Sequence, residues 1–451
     1  MRGTIREDGL SETVSLGLNQ WYVVSMVGEG FVRILFVTPY PVSRIRVRSY
    51  GFVTQLAKKH DVKVLALCMD QREMADVRAI QREGIDITAI YEERSTQFLR
   101  GLLALGSRLP LQVAFSASSR LRLALRTLLA SEHFDLLHVE FVRALGMLPP
   151  SLPVPVVWDA VDCVSQLYEQ GARFGATPMV RFLGLNEAQR TRAYEREQLL
   201  RFRHILVTSE RDRQALLALA KEIPGGLEKK ALAHIAVLPH GIDRQYFRQY
   251  MGSRWPETLT FSGKMSFHAN IAGALNLVKH IMPRVWQQRP SVRLIIAGSN
   301  PPASLRRLAS DPRIMFTGDV PDIRPYIAQA QIAVSPLPYA VGIQNKVLEA
   351  MALGTPVIAS SHAVAGLRAT AGDDVQVADE PDTFAAAILH LLDHRALRHD
   401  CRERGLAYIA RHHNWNDIIE QLTAIYHDAM SIGSMTRTSH DTDLATCAHI
   451  D

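Results

Sequence analysis

Cysteine is scarce in this chain: four occur in 451 residues, at positions 68, 163, 401 and 447. No two are close enough in sequence to make a metal-binding pair, and the count argues against a disulfide framework. A reduced, cytosolic compartment fits that usage. Long apolar runs are missing as well. None reaches 18 residues without a charge, so no membrane-spanning helix is expected. The first 31 residues hold Glu7 and Glu12 and only a short apolar patch at Trp21–Val24, which is not a signal-peptide pattern. They also lack clear periodicity. They read as a poorly ordered extension or as the product of a misplaced start codon. Tandem repeats are absent, which excludes solenoid and propeller architectures.

Acidic residues are absent from one long stretch. Residues 94–126 contain six arginines and no Asp or Glu. Phe98, Leu99, Leu102, Leu103, Leu105, Leu109, Leu111, Leu121, Leu123 and Leu125 lie between them. Leucine and arginine mixed at helical spacing predict one or two basic amphipathic helices, a pattern suited to an anionic membrane surface. The alternative is a surface helix whose apolar face joins the core. The whole chain carries net charge +6 with pI near 9.2, which points to an anionic partner. Nucleic acid is discounted, because the basic stretch has no interleaved aromatics and no recognisable binding motif.

What remains is a soluble globular balance, 47% hydrophobic and 21% charged, over a length that suggests two or three domains. Short apolar strands alternate with helical patterns along it, which predicts α/β architecture. The most informative unit is residues 332–360. Ile332–Val334 is a buried strand, and a loop with Pro336, Pro338 and Gly342 follows. Next comes a helix with Val347, Leu348, Ala350, Met351 and Leu353 on its apolar side, stopped by Gly354. Pro356 leads into a second strand, Val357–Ala359. In a parallel sheet the ligand crevice lies at the carboxyl ends of the strands, so the loop and first helical turn face a ligand. Backbone N–H groups there favour an anion.

Gly342, Asn345–Lys346, Leu348–Glu349–Ala350–Met351–Ala352 and Gly354–Thr355–Pro356–Val357 resemble the nucleotide-sugar site of retaining GT-B glycosyltransferases (glycosyltransferase group 1, family 4). The string GIQNKVLEAMA is most similar to the sugar transferases associated with exopolysaccharide (PEP-CTERM/EpsH-type) systems. The resemblance covers roughly residues 32–430. It implies a GT-B fold, two Rossmann-like doubly wound domains facing across a cleft. It also implies Glu349 on the nucleotide ribose. Many members carry a second Glu eight positions earlier, by the donor sugar; here that position is Val341. Gly263 and Lys264 resemble the turn where a basic residue meets the donor diphosphate. The further Lys that many members add falls on Ala269, with Lys346 as its expected replacement and Asn270 as a helix cap. Gly318, Val320 and Ile323 resemble the segment that cradles the nucleobase. Gly342, Ile343 and Asn345 complete the donor-binding set.

Candidate acceptor-side residues come from the first half. The Pro-rich loop after the strand RILFVTPYP lacks the family's glycine pair but brings Arg44, Arg46 and Arg48, and Arg48–Ser49–Tyr50 resembles the exopolysaccharide subgroup. Arginines at a strand's carboxyl end suit phosphate or another anionic acceptor. His138 matches by place a family histidine near the donor sugar. Read from the residues alone, it is equally a histidine satisfied at a strand edge. Asp159 and Asp162, three apart, hold either an acceptor hydroxyl or a structural arginine.

The expected domains are an extension, 1–31; an acceptor-side domain, 32–248; a nucleotide-sugar domain, 249–412; a helix crossing back, 413–430; and a disordered tail, 431–451. The implied reaction transfers a sugar, with retention, from a nucleoside-diphosphate sugar to a glycan or lipid-linked acceptor. His138, Lys264, Lys346 and Glu349 are the expected catalytic set, with no metal and no cofactor, in a cytoplasmic protein peripheral to the inner membrane. Two alternatives are a sugar-nucleotide epimerase on the same plan and a non-catalytic partner, the latter motivated by Val341.

Overall fold

The computed structural model describes residues 30–173, 178–223, 234–248, 252–369, 372 and 374–446, with the backbone alone for residue 180 and for 432–446. The expected extension falls outside these residues except for Gly30 and Phe31.

Two parallel sheets organise the chain. The first contains β1 (Arg33–Thr38), β2 (Asp61–Cys68), β3 (Asp86–Tyr91), β4 (Leu136–Glu140), β5 (Val156–Val161), β6 (His204–Val207) and β7 (Ile235–Val237), in the order β3-β2-β1-β4-β5-β6-β7. The second contains β8 (Thr258–Ser262), β9 (Arg293–Ala297), β10 (Ile314–Gly318), β11 (Ile332–Ser335), β12 (Val357–Ala359) and β13 (Gln376–Val377), in the order β10-β9-β8-β11-β12-β13. The strands read as near-continuous apolar runs because helices cover both sheet faces. Strand direction is parallel throughout, and each order reverses once, between β1 and β4 and between β8 and β11. At such a reversal the loops leaving neighbouring strands diverge and open a crevice at their carboxyl ends.

Alternation along β1 and β4 sorts their side chains to opposite faces. Leu35, Leu137, Val139 and Trp158 pack with Leu121, Leu125 and Leu199. Ile34, Phe36 and Leu136 pack with Phe52 and with Trp415, Ile418, Leu422 and Tyr426 of the last helix. That helix therefore serves the first lobe although it leaves from the second. Trp415 fills the space beside Gly51 and Gly241, where an added Cβ would lie 1.8 Å and 2.5 Å from its ring atoms. The helix spans Trp415–Thr446, past the boundary at 430 expected from the sequence. In the expected disordered tail, the side chains beyond Ser431 lie outside the described residues.

The arginine-rich stretch forms three helices, Arg94–Leu103, Leu111–Ser116 and Ser119–Ser131, rather than one or two. Leu121 and Leu125 enter the core, whereas Phe98, Leu99, Leu102, Leu103 and Leu105 are exposed. Met179, Phe182, Leu183 and Leu185, at the start of the Pro178–Arg201 helix, are exposed too. The same helix meets the arginine-rich stretch farther along. Arg190 donates to the Leu105 carbonyl, and Leu111 N–H donates to Glu187 at 2.7 Å. Among the described residues no helix is long and apolar enough to cross a membrane.

Candidate active site

The residues of the expected donor site come together at the reversal of the second sheet. Gly263 follows β8 and Gly298 follows β9, and their backbones nearly touch: a Cβ on Gly298 would sit 1.8 Å from the Gly263 carbonyl oxygen. Both adopt positive φ, +143° and +146°, where side chains are strained. Lys346, in the first turn of the Asn345–Ala352 helix, reaches back to this loop. Its Nζ donates to Asn270 Oδ1 and lies 4.6 Å from the centroid of the Phe261 ring. An added Cβ on Gly263 would come within 3.2 Å of that Nζ. Asn270 Nδ2 in turn donates to the Lys264 carbonyl at 2.9 Å. Asn270 thus lies inside the His268–Asn276 helix and bridges the loop to Lys346; it does not cap a helix. Its amide carries the link to Lys346, which has no direct sign in the residue pattern.

Glu349 lies one turn beyond Lys346 on the same helix face. Burial pushes the Lys346 amine down to about 7 and the Glu349 carboxyl up to about 7, and each partly restores the charge of the other. Lys264 is exposed, and Gly318 and Val320 lie half-buried where the β9 and β10 exits meet through a Gly298–Gly318 bridge. Ile343 packs partly on the second core, and Asn345 meets the buried His240 at the crossing between lobes. Val341 is buried.

Across the cleft, Gly342 faces Asp162. At φ +61° an added Cβ would lie 1.9 Å from Asp162 Oδ1. Asp162 accepts from Thr208 Oγ1 at 3.2 Å, and burial together with the nearby Asp212 carboxylate raises its pKa. Val161 precedes it at φ +68°, and Phe141, just past β4, has φ +69°. Left-handed backbone at a β-branched and an aromatic residue is strained, and both sit at the carboxyl ends of strands facing the cleft.

Three expected site residues are not in the open cleft. Arg48 grips Asp159 with Nε at 2.6 Å and Nη2 at 2.8 Å, and its Nη1 donates to the Leu238 carbonyl at 2.8 Å. The structural-arginine alternative for Asp159 is the one observed. His138, fully buried, lies 3.5 Å from the same carboxylate and shares a 2.8 Å hydrogen bond with Tyr426 through Nδ1. Its ring stacks on Phe36 at 4.4 Å. The reason is the pleat: His138 projects from mid-β4 onto the face covered by the last helix. Burial lowers the His138 pKa despite Asp159 beside it. Burial alone would raise the Asp159 carboxyl, but Arg48 and His138 hold it below the ordinary value.

Arg46 is exposed, with its guanidinium 4.2 Å from the centroid of the Tyr40 ring. Tyr40 donates to Glu140 at 2.9 Å, and Arg143 approaches the same ring at 5.5 Å. Burial, then the Asp159 charge, pushes Glu140 up to about 7. Tyr40 and Arg143 had no sequence signal of their own; only the sheet topology brings them beside Arg46.

Residues 256–394 match the family described as glycosyl transferases group 1. No match was found among curated protein sequences. Among solved structures, HepE from Anabaena in complex with UDP is 13% identical, with 88% of this chain and 100% of that chain covered and a TM-score of 0.59. Sucrose-phosphate synthase from Thermosynechococcus elongatus is 16% identical, with 89% and 100% covered and a TM-score of 0.64. TarM is 8% identical, with 88% and 99% covered and a TM-score of 0.61. The two-lobed architecture is the GT-B fold, as the sequence resemblance implied.

Proposed function

We propose that this chain is a glycosyltransferase that moves a sugar from a nucleoside-diphosphate sugar to a glycan or lipid-linked acceptor. The observation that carries this reading is the convergence of Lys346, Asn270 and Gly263 at the amino end of the Asn345–Ala352 helix. That point lies at the sheet reversal, inside the segment matching the glycosyl transferase family. The donor diphosphate would lie against these N–H groups and the Lys346 amine. As the sugar leaves, negative charge grows on the diphosphate. Protonated Lys346 and aligned dipoles in a half-buried site stabilise it far more than water-exposed groups would. Glu349 would accept from the ribose hydroxyls, and Lys264 would approach from the rim. On this reading transfer needs no metal and retains configuration.

The acceptor side is Arg46 with the Tyr40–Arg143–Glu140 group and Asp162. Arg48, Asp159 and His138 act beneath it as positioning residues. The exposed apolar and arginine-rich surface of residues 94–126 supports docking on an anionic membrane, hence a lipid-linked acceptor in exopolysaccharide synthesis. Val341 favours one rival reading, a partner that binds donor without turnover, since no carboxylate stands where one is expected by the donor sugar.

Calorimetric titration with UDP-, GDP-, ADP- and dTDP-sugars tests the donor site. One donor should bind the wild type, and Glu349→Ala should lose it. Failure of every donor to bind the intact protein would overturn the proposal. Binding without donor hydrolysis or transfer to any acceptor would favour the rival.

A further inference from the structure

At the amino ends of β6 and β7, far from the cleft, three metal-ligating side chains converge. His204 opens β6, His234 immediately precedes β7, and Asp428 belongs to the Trp415–Thr446 helix. One ligand atom from each lies within 4.8 Å of the others. Asp428 Oδ2 stands between the rings, 3.0 Å from His204 Nε2 and 3.9 Å from His234 Nδ1, and the ring centroids are 5.0 Å apart. We propose that His204, His234 and Asp428 form a binding site for a divalent transition-metal ion of the zinc class, which fastens the last helix to the edge of the first sheet.

The geometry is close to what such an ion requires. With bonds of about 2.0–2.1 Å, neighbouring ligands on a tetrahedral ion sit about 3.3 Å apart. The two observed separations bracket that spacing, so small side-chain rotations suffice. Two imidazoles and one carboxylate select a borderline ion such as Zn2+, Co2+ or Ni2+ over the oxygen-seeking Mg2+ and Ca2+. Arg203 acts electrostatically on His204 and opposes a loosely held cation, leaving coordination bonds as the source of affinity. Burial grades from His204 through His234 to Asp428, which is half exposed, so one side stays open for water or for ion entry. His204 also lines a surface groove of about 300 Å³ with Pro150, Leu152, Arg201 and Ala429.

The site joins three pieces of chain remote in sequence. An ion held by all three binds the folded state and not the unfolded chain, so it stabilises in proportion to its concentration. The helix it grips also supplies Tyr426 to His138 and Trp415 to the crossing between lobes. No step of the proposed transfer passes through it.

The test uses the full chain stripped with a chelator and dialysed. Calorimetric titration with ZnCl2 should show one equivalent bound, with MgCl2 giving no comparable phase. Added Zn2+ should raise the melting temperature, and EDTA should reverse the rise. Co2+ should give the visible absorption bands of a four- or five-coordinate ion. His234→Ala, at a partly exposed position, and the isosteric Asp428→Asn should each lose the stoichiometric phase while melting cooperatively without metal. Absence of a one-to-one phase in the wild type, or its survival in both variants, would overturn the site. The donor titration is a separate experiment, so either result stands apart from the transferase reading.

Discussion

Arg48 holds Asp159 through two parallel hydrogen bonds, and His138 closes on the same carboxylate from the other side. The knot ties the Val47–Leu56 helix to β4 and β5 and, through the Leu238 carbonyl, to the start of the crossing between lobes. Truncating one member of a buried ion pair strands the other charge, at a cost of about 3–5 kcal/mol. Arg48→Ala should therefore lower the urea midpoint of unfolding sharply, and Arg48→Met with Asp159→Leu should restore part of the loss. Donor binding by the folded fraction of the double variant should stay near wild type. A donor defect as large as that of Glu349→Ala, without loss of stability, would return these residues to the reacting centre.

Lys346 and Glu349 both titrate near 7 because burial disfavours each charge. An anionic diphosphate favours charged Lys346, so its binding takes up a proton above that pH and weakens as pH rises. Ribose hydroxyls favour ionised Glu349, so binding also weakens as pH falls below about 7. Donor affinity should follow a bell centred near neutrality, reporting the pair rather than either residue. Lys346→Arg should flatten the basic limb, since guanidinium keeps its proton. Glu349→Gln should flatten the acidic one. Calorimetry from pH 5.5 to 9 (roughly the range over which these groups titrate) would expose a flat profile as a failure.

Gly298 has no room for a side chain. Its added Cβ would collide with the Gly263 carbonyl, while one on Gly318, also at positive φ, meets nothing within 4 Å. Gly318→Ala should cost only backbone strain, about 1–2 kcal/mol. Gly298→Ala must also push the Gly263 loop away from Asn270 and Lys346, so it should weaken donor binding more than Gly318→Ala does. Equal effects on calorimetric affinity would show that the loop yields freely.

The proposed donor half rests on one contiguous stretch, so its elements were legible in sequence. Residues 342–356 hold the turn, the helix start, the charged pair and the stop within a single strand–helix–strand unit. The acceptor half was less so. Residue type and order placed His138, Arg48 and Asp159 near strand ends, but what His138 packs against comes from a helix 288 residues later, as its contact with Tyr426 makes plain. Asn270 was read as a cap because a polar residue near a helix start has that local use. Its tertiary use, bridging Lys264 to Lys346, needs two other segments. The leucine–arginine stretch was legible as amphipathic, but not the further exposed apolar side chains Met179, Phe182 and Leu183 on a helix more than fifty residues later.

These exposed side chains bear on the membrane reading. Leu103 is 75% exposed and Phe182 62%, two large apolar side chains left to solvent. Of the six arginines, Arg94, Arg100 and Arg122 are engaged with Asp70, Glu92 and the Gly146 carbonyl, while Arg108, Arg120 and Arg126 stand exposed. Only Arg94 and Arg100 are offset by carboxylates, so the basic contribution is closer to four charges than six, at about 1 kcal/mol each near an anionic surface. Insertion of the leucines and phenylalanines must supply the rest. Co-sedimentation with phosphatidylglycerol vesicles should accordingly weaken in high salt without vanishing. Leu103→Glu combined with Phe182→Glu should abolish it while leaving donor affinity intact. Binding that disappears entirely with salt, or that survives the double variant, would mean the apolar patch is covered by another protein instead.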